Sequence, residues 1–124
     1  MKIGMQCRGF PLTSALDGHV SKRLDFLLGR RFRRLRRIDV TLSDLNEPRG
    51  GVDKRCLIKV RIDGLRPVAI EDTQSDLYMA IDRAAWRTSR TVLRRMALDS
   101  SRRRAEAQRW LNEQHKGDKQ AMPG

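Results

Sequence analysis

Arg83, Arg87, Arg90 and Arg94 recur at i, i+4, i+7 and i+11, a spacing that on an α-helix lines four guanidinium groups along one face. A guanidinium carries a permanent charge and a planar fork of donors that matches phosphate oxygens, and it also stacks on bases. Like charges at this spacing repel by roughly 0.2–0.5 kcal/mol per pair, so stability alone favours alternation with acids. Within the span only Asp82 is adjacent, which predicts an uncompensated row turned toward a polyanion. A merely solvated surface face is the alternative reading of the same residues.

A second concentration is Arg30-Arg31-Phe32-Arg33-Arg34-Leu35-Arg36-Arg37, where six of eight residues are arginine. Phe32 and Leu35 are expected to anchor it to the core. Cations that follow a helix favour the negative end of its dipole, which accounts for one or two of these arginines and not for six. A localisation signal is the alternative. Lys22 and Arg23 lie off the apolar stripe of the preceding helix and extend the basic surface; Arg95 flanks Arg94. Trp86, beside Arg87, is placed either to stack on a base or to pack against the sheet edge or the first helix. Trp110 marks a contact surface or a helix that packs back.

No catalytic constellation accompanies these groups. His19 and His115 are the only histidines, neither in a metal-ligand spacing, and His19 reads as a surface residue of a helix. No nucleophile motif, phosphate loop or paired-cysteine motif occurs. Asp72, Asp76 and Asp82 are close in sequence, but Asp76 has a helix-start role available. The chain therefore reads as a binding protein, with no enzyme activity, cofactor, metal or small-molecule substrate expected.

The whole composition points the same way. The 124 residues include 27 Lys and Arg against 15 Asp and Glu, a formal net charge of +12 and a sequence pI near 11.1. Such a domain attracts polyanions at long range. The excess is mostly arginine and no apolar run reaches membrane length, so nucleic acid is favoured over an anionic membrane. The 39% hydrophobic and 5% aromatic content suits one modest aliphatic core. Cys7 and Cys56 are too few for a disulfide framework and are expected to be buried free thiols. The N-terminus lacks the apolar core of a signal peptide, and a reducing cytoplasm is the simplest compartment.

These side chains must be positioned by regular elements, and the hydrophobic pattern supplies them. Ile3, Met5 and Cys7 alternate with polar neighbours as a half-buried strand. Thr13 or Ser14 caps a helix whose stripe is Leu16, Val20, Leu24, Leu27 and Leu28, with Gly29 near its end. Ile38, Val40 and Leu42 form a second strand, followed by the breaker-rich loop from Asn46 to Gly51. Cys56, Ile58, Val60 and Ile62 form a third. Asp63-Gly64 signals a hairpin, and a three-residue loop from Asp63 to Leu65 sets Val68 and Ile70 beside Val60 and Ile58, the register that keeps one face buried. Ser75 caps the last helix, with Asp76 at its positive end. Leu77, Ala80, Ile81, Ala84, Thr88 and Val92 make its inner stripe, and the helix runs on toward or past Met96. The economical solution is an α+β fold of order β-α-β-β-β-α, a two-layer sandwich with a four-stranded sheet and two helices packed on one face. Residues 1–98 form the binding domain, and 99–124 a polar basic tail that is either a helical extension or disordered.

The stretch Asp76-Leu77-Tyr78-Met79-Ala80-Ile81-Asp82 resembles the start of the last helix in the ribosome hibernation promoting factors, also called the ribosome-associated inhibitor A or sigma-54 modulation protein family. Thr13, Ala15, Leu16, Val20, Lys22, Arg23 and Leu24 resemble that family's first helix, and the strand order agrees. The likeness covers residues 1 to 98 and is to the short form, without the second domain that mediates ribosome pairing in long members; the run from Arg30 to Arg37 is denser than is usual there. The resemblance implies a cytoplasmic, stress-related translation regulator that binds 16S-type rRNA of the small subunit in the channel used by messenger and transfer RNA, and blocks translation sterically. It places rRNA contacts on Arg87, Arg90 and Arg94, flanked by Arg83 and Arg95, and on Lys22 and Arg23; our reading adds Arg30, Arg31, Arg33 and Arg34.

Three rivals stay open on the residues. A double-stranded RNA module also pairs a sheet with two helices, but here a strand precedes the first helix and the last helix starts with Ser75 and Asp76 rather than lysines. A regulatory protein-interaction module would take an acidic partner. A nuclease would need the His and carboxylate constellation that the sequence lacks.

Overall fold

The computed structural model describes residues 2–29, 33–44 and 53–121, with side chains as far as residue 115. Strands β1 (Lys2–Arg8), β2 (Leu35–Asp44), β3 (Lys54–Ile62) and β4 (Val68–Gln74) and helices α1 (Ser14–Leu27) and α2 (Leu77–Ala121) follow one another in the order β-α-β-β-β-α. The chain divides into two compact units, Met1–Thr91 and Val92–Gly124.

In the first unit the four strands lie side by side in sequence order. β1 runs parallel to β2, and the β2–β3 and β3–β4 pairs are antiparallel. Alternation decides the faces. Ile38, Val40, Leu42, Cys56, Ile58, Val60, Ile62 and Val68 are buried on one side, together with Leu16, Val20, Leu24 and Leu28 of α1 and Ala80, Ile81, Ala84, Ala85 and Thr88 of α2. The expected register holds, with Ile58 opposite Ile70 and Val60 opposite Val68. The ladder closes at Val68, since Pro67 has no N–H to donate. Gly64 adopts φ 77° in the turn between them, a conformation that glycine accepts without strain.

Local chemistry sets the helix ends. Thr13 Oγ1 accepts from Leu16 N at 3.2 Å and caps α1. At its other end, a Cβ on Gly29 would run into the Asp25 carbonyl oxygen, so no other residue fits without a backbone shift. The cap of α2 falls one residue later than expected. Asp76, not Ser75, accepts from Tyr78 N through its Oδ1 at 3.2 Å, and its carbonyl takes the first helical bond from Ala80 N at 3.0 Å.

The sheet edge corrects the expectation for one thiol. Cys56, on an inner strand, is buried, while Cys7, on the outer strand β1, is half-buried because among the described residues no strand covers its far side. Leu35 does anchor the arginine run, paired with Ile62 in the core. The expected anchor Phe32 and the loop from Asn46 to Gly51 lie outside the described residues.

In the second unit α2 continues as helix to Ala121. Asp99 is buried there and accepts from Arg102 Nη2 at 3.2 Å and Arg103 Nε at 3.1 Å.

Two outcomes test this packing. Leu24→Ala, at a fully buried site, is expected to destabilise the domain by about 2–5 kcal/mol, read as a lower urea midpoint at unchanged slope. The Cys56 thiol is pushed up to about 12, by burial first and by the Asp72 charge second. At pH 8 an alkylating reagent should therefore modify Cys7 and spare Cys56 until the protein is unfolded.

Candidate nucleic-acid interface

The buried stripe of α2 fixes what faces water. With Ala80, Ile81, Ala84, Ala85 and Thr88 inside, the helical period turns Arg83, Trp86, Arg87 and Arg90 outward. Side chains three and four apart are neighbours, so Arg83 and Arg87 form one short row and Asp82, Trp86 and Arg90 the next.

The row is not uncompensated, which corrects the sequence expectation. Arg87 Nη1 donates to the Glu71 carbonyl at 2.7 Å and to Asp72 Oδ2 at 3.2 Å. Arg83 Nε lies 3.8 Å from the same oxygen. The acid comes from β4, far enough along the chain that proximity in sequence gives no sign of it. Asp82, the one acid adjacent to the row in sequence, turns to α1: its Oδ1 lies 2.7 Å from His19 Nε2 and 3.0 Å from Arg23 Nε. His19 is thus half-buried in a link between the helices rather than a plain surface residue, and its ring meets Tyr78 edge-on at 4.8 Å.

Compensation is partial all the same. A single carboxylate, 8% exposed, serves two guanidiniums whose side chains remain 62% and 50% exposed. Asp72 is also held by Gln74 Nε2 at 2.6 Å. Burying a carboxylate requires such partners, so Arg87 carries a structural duty beside any contact with a ligand. Arg90 has no carboxylate among the described residues; its guanidinium lies over the Trp86 ring, 5.6 Å from the centroid. Arg94 and Arg95 belong to the second unit, where both are exposed and neither forms an ion pair among the described residues.

The arginine run divides. Arg30 and Arg31 lie outside the described residues, and Arg33 is exposed. Arg34 donates to the Asp63 carbonyl at 2.7 and 3.1 Å through Nη2 and Nε. Arg36 sits where the β2–β3 register shifts and pairs with Asp63 Oδ1 at 2.9 Å, while Arg37 pairs with Asp39 at 2.8 Å. Part of this cluster therefore ties β2 to the hairpin turn. Lys22 is exposed on α1, and Arg23, though bound to Asp82, keeps about half of its side chain in water.

The sheet brings together basic residues that the sequence reading passed over. Its open face carries Arg8, Arg55, Lys59 and Arg61 around a shallow groove of about 770 Å³. Alternation in β3 is the signal that could have found them, since Arg55, Lys59 and Arg61 all fall opposite the buried residues. Arg55 is offset by Glu71 at 2.7 Å. Among the described residues no cluster of His, Cys, Asp or Glu has metal-site geometry, and no helix is long and apolar enough to cross a membrane.

A mixed four-stranded sheet covered by two helices, with arginines displayed on the second helix, defines the class: an α+β domain with a basic helical surface. Residues 3–97 match the family described as sigma 54 modulation protein / S30EA ribosomal protein, and the chain belongs to that family. No curated protein sequence matches it. Among solved structures, the Protein Y N-terminal domain of Thermus thermophilus is similar at 32% identity and TM-score 0.63, over 76% of this chain and 98% of that one. A ribosomal subunit interface protein from Coxiella burnetii shares the fold at 18% identity and TM-score 0.67, over 78% of this chain and 99% of that one.

The shared carboxylate gives a direct check on the electrostatics. Asp72→Asn keeps an acceptor for Arg87 and removes the charge that offsets Arg83 and Arg87. The variant should elute from heparin at higher salt than the parent, and its Cys56 thiol should titrate lower.

Proposed function

We propose that this protein binds small-subunit rRNA in the channel used by messenger and transfer RNA and blocks translation by occupying it, as a hibernation factor acting in the cytoplasm. Family membership supports association with ribosomes. The observation that carries the reading is the exposed surface of α2, where Arg83, Arg87 and Arg90 present more positive charge than Asp72 offsets. Arg94, Arg95, Lys22, Arg23 and Arg33 extend the basic set, with Arg30, Arg31 and Arg34 as further candidates from the arginine run. Guanidiniums displace counterions from phosphates, and the release of those ions drives association. The major groove of A-form RNA is too narrow for side chains to read bases, so backbone and shape dominate recognition. No bond is made or broken; exclusion of the natural occupants is the whole mechanism.

Reversing Arg87 would set a new carboxylate beside buried Asp72 and endanger folding. The informative variant reverses Arg90, Arg94 and Arg95 to Glu, none of which is paired with a carboxylate among the described residues. It lowers the formal net charge from +12 to +6. Sucrose gradients of tagged protein with ribosomes should place the parent with the small subunit at low salt, with each phosphate contact adding about 0.7–0.9 to the log–log salt slope. The folded variant should stay at the top of the gradient. Cosedimentation equal to the parent's would refute the reading, and binding to free RNA duplexes in preference to small subunits would favour a duplex-RNA module instead.

A further inference from the structure

Trp86 is out of place as a packing residue. It lies at the middle of the first unit's portion of α2, 54% exposed, while its helical neighbours Ala84, Ala85 and Thr88 are buried. Surface tryptophan exposes a large apolar ring to water, and packing against the sheet or α1 would have covered it. Instead its surroundings are cationic. The Arg90 guanidinium lies over the ring, 5.6 Å from its centroid. Arg83 and Arg87 stand in the adjoining row, and with Asp82 and Trp86 they border a shallow open cleft of about 340 Å³, at the low end of the range of ligand clefts. Arg87 is steadied by Glu71 and Asp72, so this rim is preorganised.

From this arrangement we infer that Trp86 is a stacking platform for one unpaired base of RNA, with Arg83 and Arg87 holding the flanking phosphates and Arg90 steadying the ring by its cation–π contact. The inference rests on the proposed RNA-binding role of the α2 surface and narrows it: the segment bound at this point is single-stranded or bulged, because a base inside a duplex has no free face to offer. Aromatic rings recognise unpaired bases in this way with little sequence preference, since every base has a π-face. Arg90 polarises the ring by cation–π contact. A platform of this kind holds the register of a flexible strand that phosphate contacts alone would let slide.

The test uses the full chain carrying Trp110→Phe, which leaves Trp86 as the only tryptophan. A short single-stranded oligoadenylate is expected to quench Trp86 emission, and a blunt RNA duplex at the same salt to leave it nearly unchanged. Trp86→Leu should weaken oligoadenylate binding about tenfold or more, Trp86→Phe should recover much of it, and heparin elution should stay constant across all three because no charge changes. Equal oligoadenylate affinity for Trp86→Leu and the parent, or equal quenching by duplex and single strand, overturns the inference. Failure of small subunits to bind, with the oligoadenylate results intact, would remove the ribosome reading and leave the stacking site standing.

Discussion

The burial of a narrow stripe of small side chains on α2 is the constraint from which the surface follows. Ala80, Ala84, Ala85 and Thr88 bring the helix close to its neighbours in the first unit, and Ile81 fills the remaining depth. Thr88 is tolerated there because its hydroxyl donates to the Ala84 carbonyl at 2.7 Å, so no polar group is left unsatisfied. Once that stripe is inside, the helical period leaves no freedom over which residues meet water. A rotation of the helix by one position would bury arginine and expose alanine, at a cost in desolvated charge that the fold could not sustain.

Electrostatics then divides the charged residues by duty. Asp72 draws on Arg83 and Arg87, Asp82 draws on His19 and Arg23, and the Asp63 carboxylate draws on Arg36 while its backbone carbonyl accepts from Arg34. Each carboxylate ties two elements together: β4 to α2, α2 to α1, and the hairpin turn to β2. The basic surplus is what remains after these ties are made. The same side chains can thus serve structure and recognition, since an arginine has five N–H donors and a carboxylate rarely uses them all.

Local patterns in the chain made most of the fold legible. Alternation shows the buried residues Ile38, Val40, Leu42, Cys56, Ile58, Val60 and Ile62, though not the burial of Ser43, and a three-residue turn fits the observed register because burial forbids a slip of one position. Ser75 and Asp76 are both competent caps for α2, and only the geometry gives the role to Asp76. The candidate surface was legible as a helical spacing of arginines, while its electrostatic partner was not. Asp72 reaches Arg87 across a strand–helix contact, and His19 meets Asp82 across 63 positions of sequence. Such pairings depend on tertiary placement, which a linear pattern does not encode. Cys7 shows the complementary limit: alternation says which face a side chain takes, but the exposure of that face depends on where the strand lies in the sheet.

The outer position of β1 carries one more consequence. A strand whose flank is unpaired among the described residues, with half-buried Ile3, Met5 and Cys7, is a ready template for a second copy of itself. Lys2 and Arg8 stand exposed at its two ends. If two copies docked antiparallel along this flank, the lysine of one would meet the arginine of the other at both ends of the new ladder, and like charges facing across strands repel. The two cations thus disfavour that edge-to-edge ladder at both of its ends, without any residue being diverted from the helical surface.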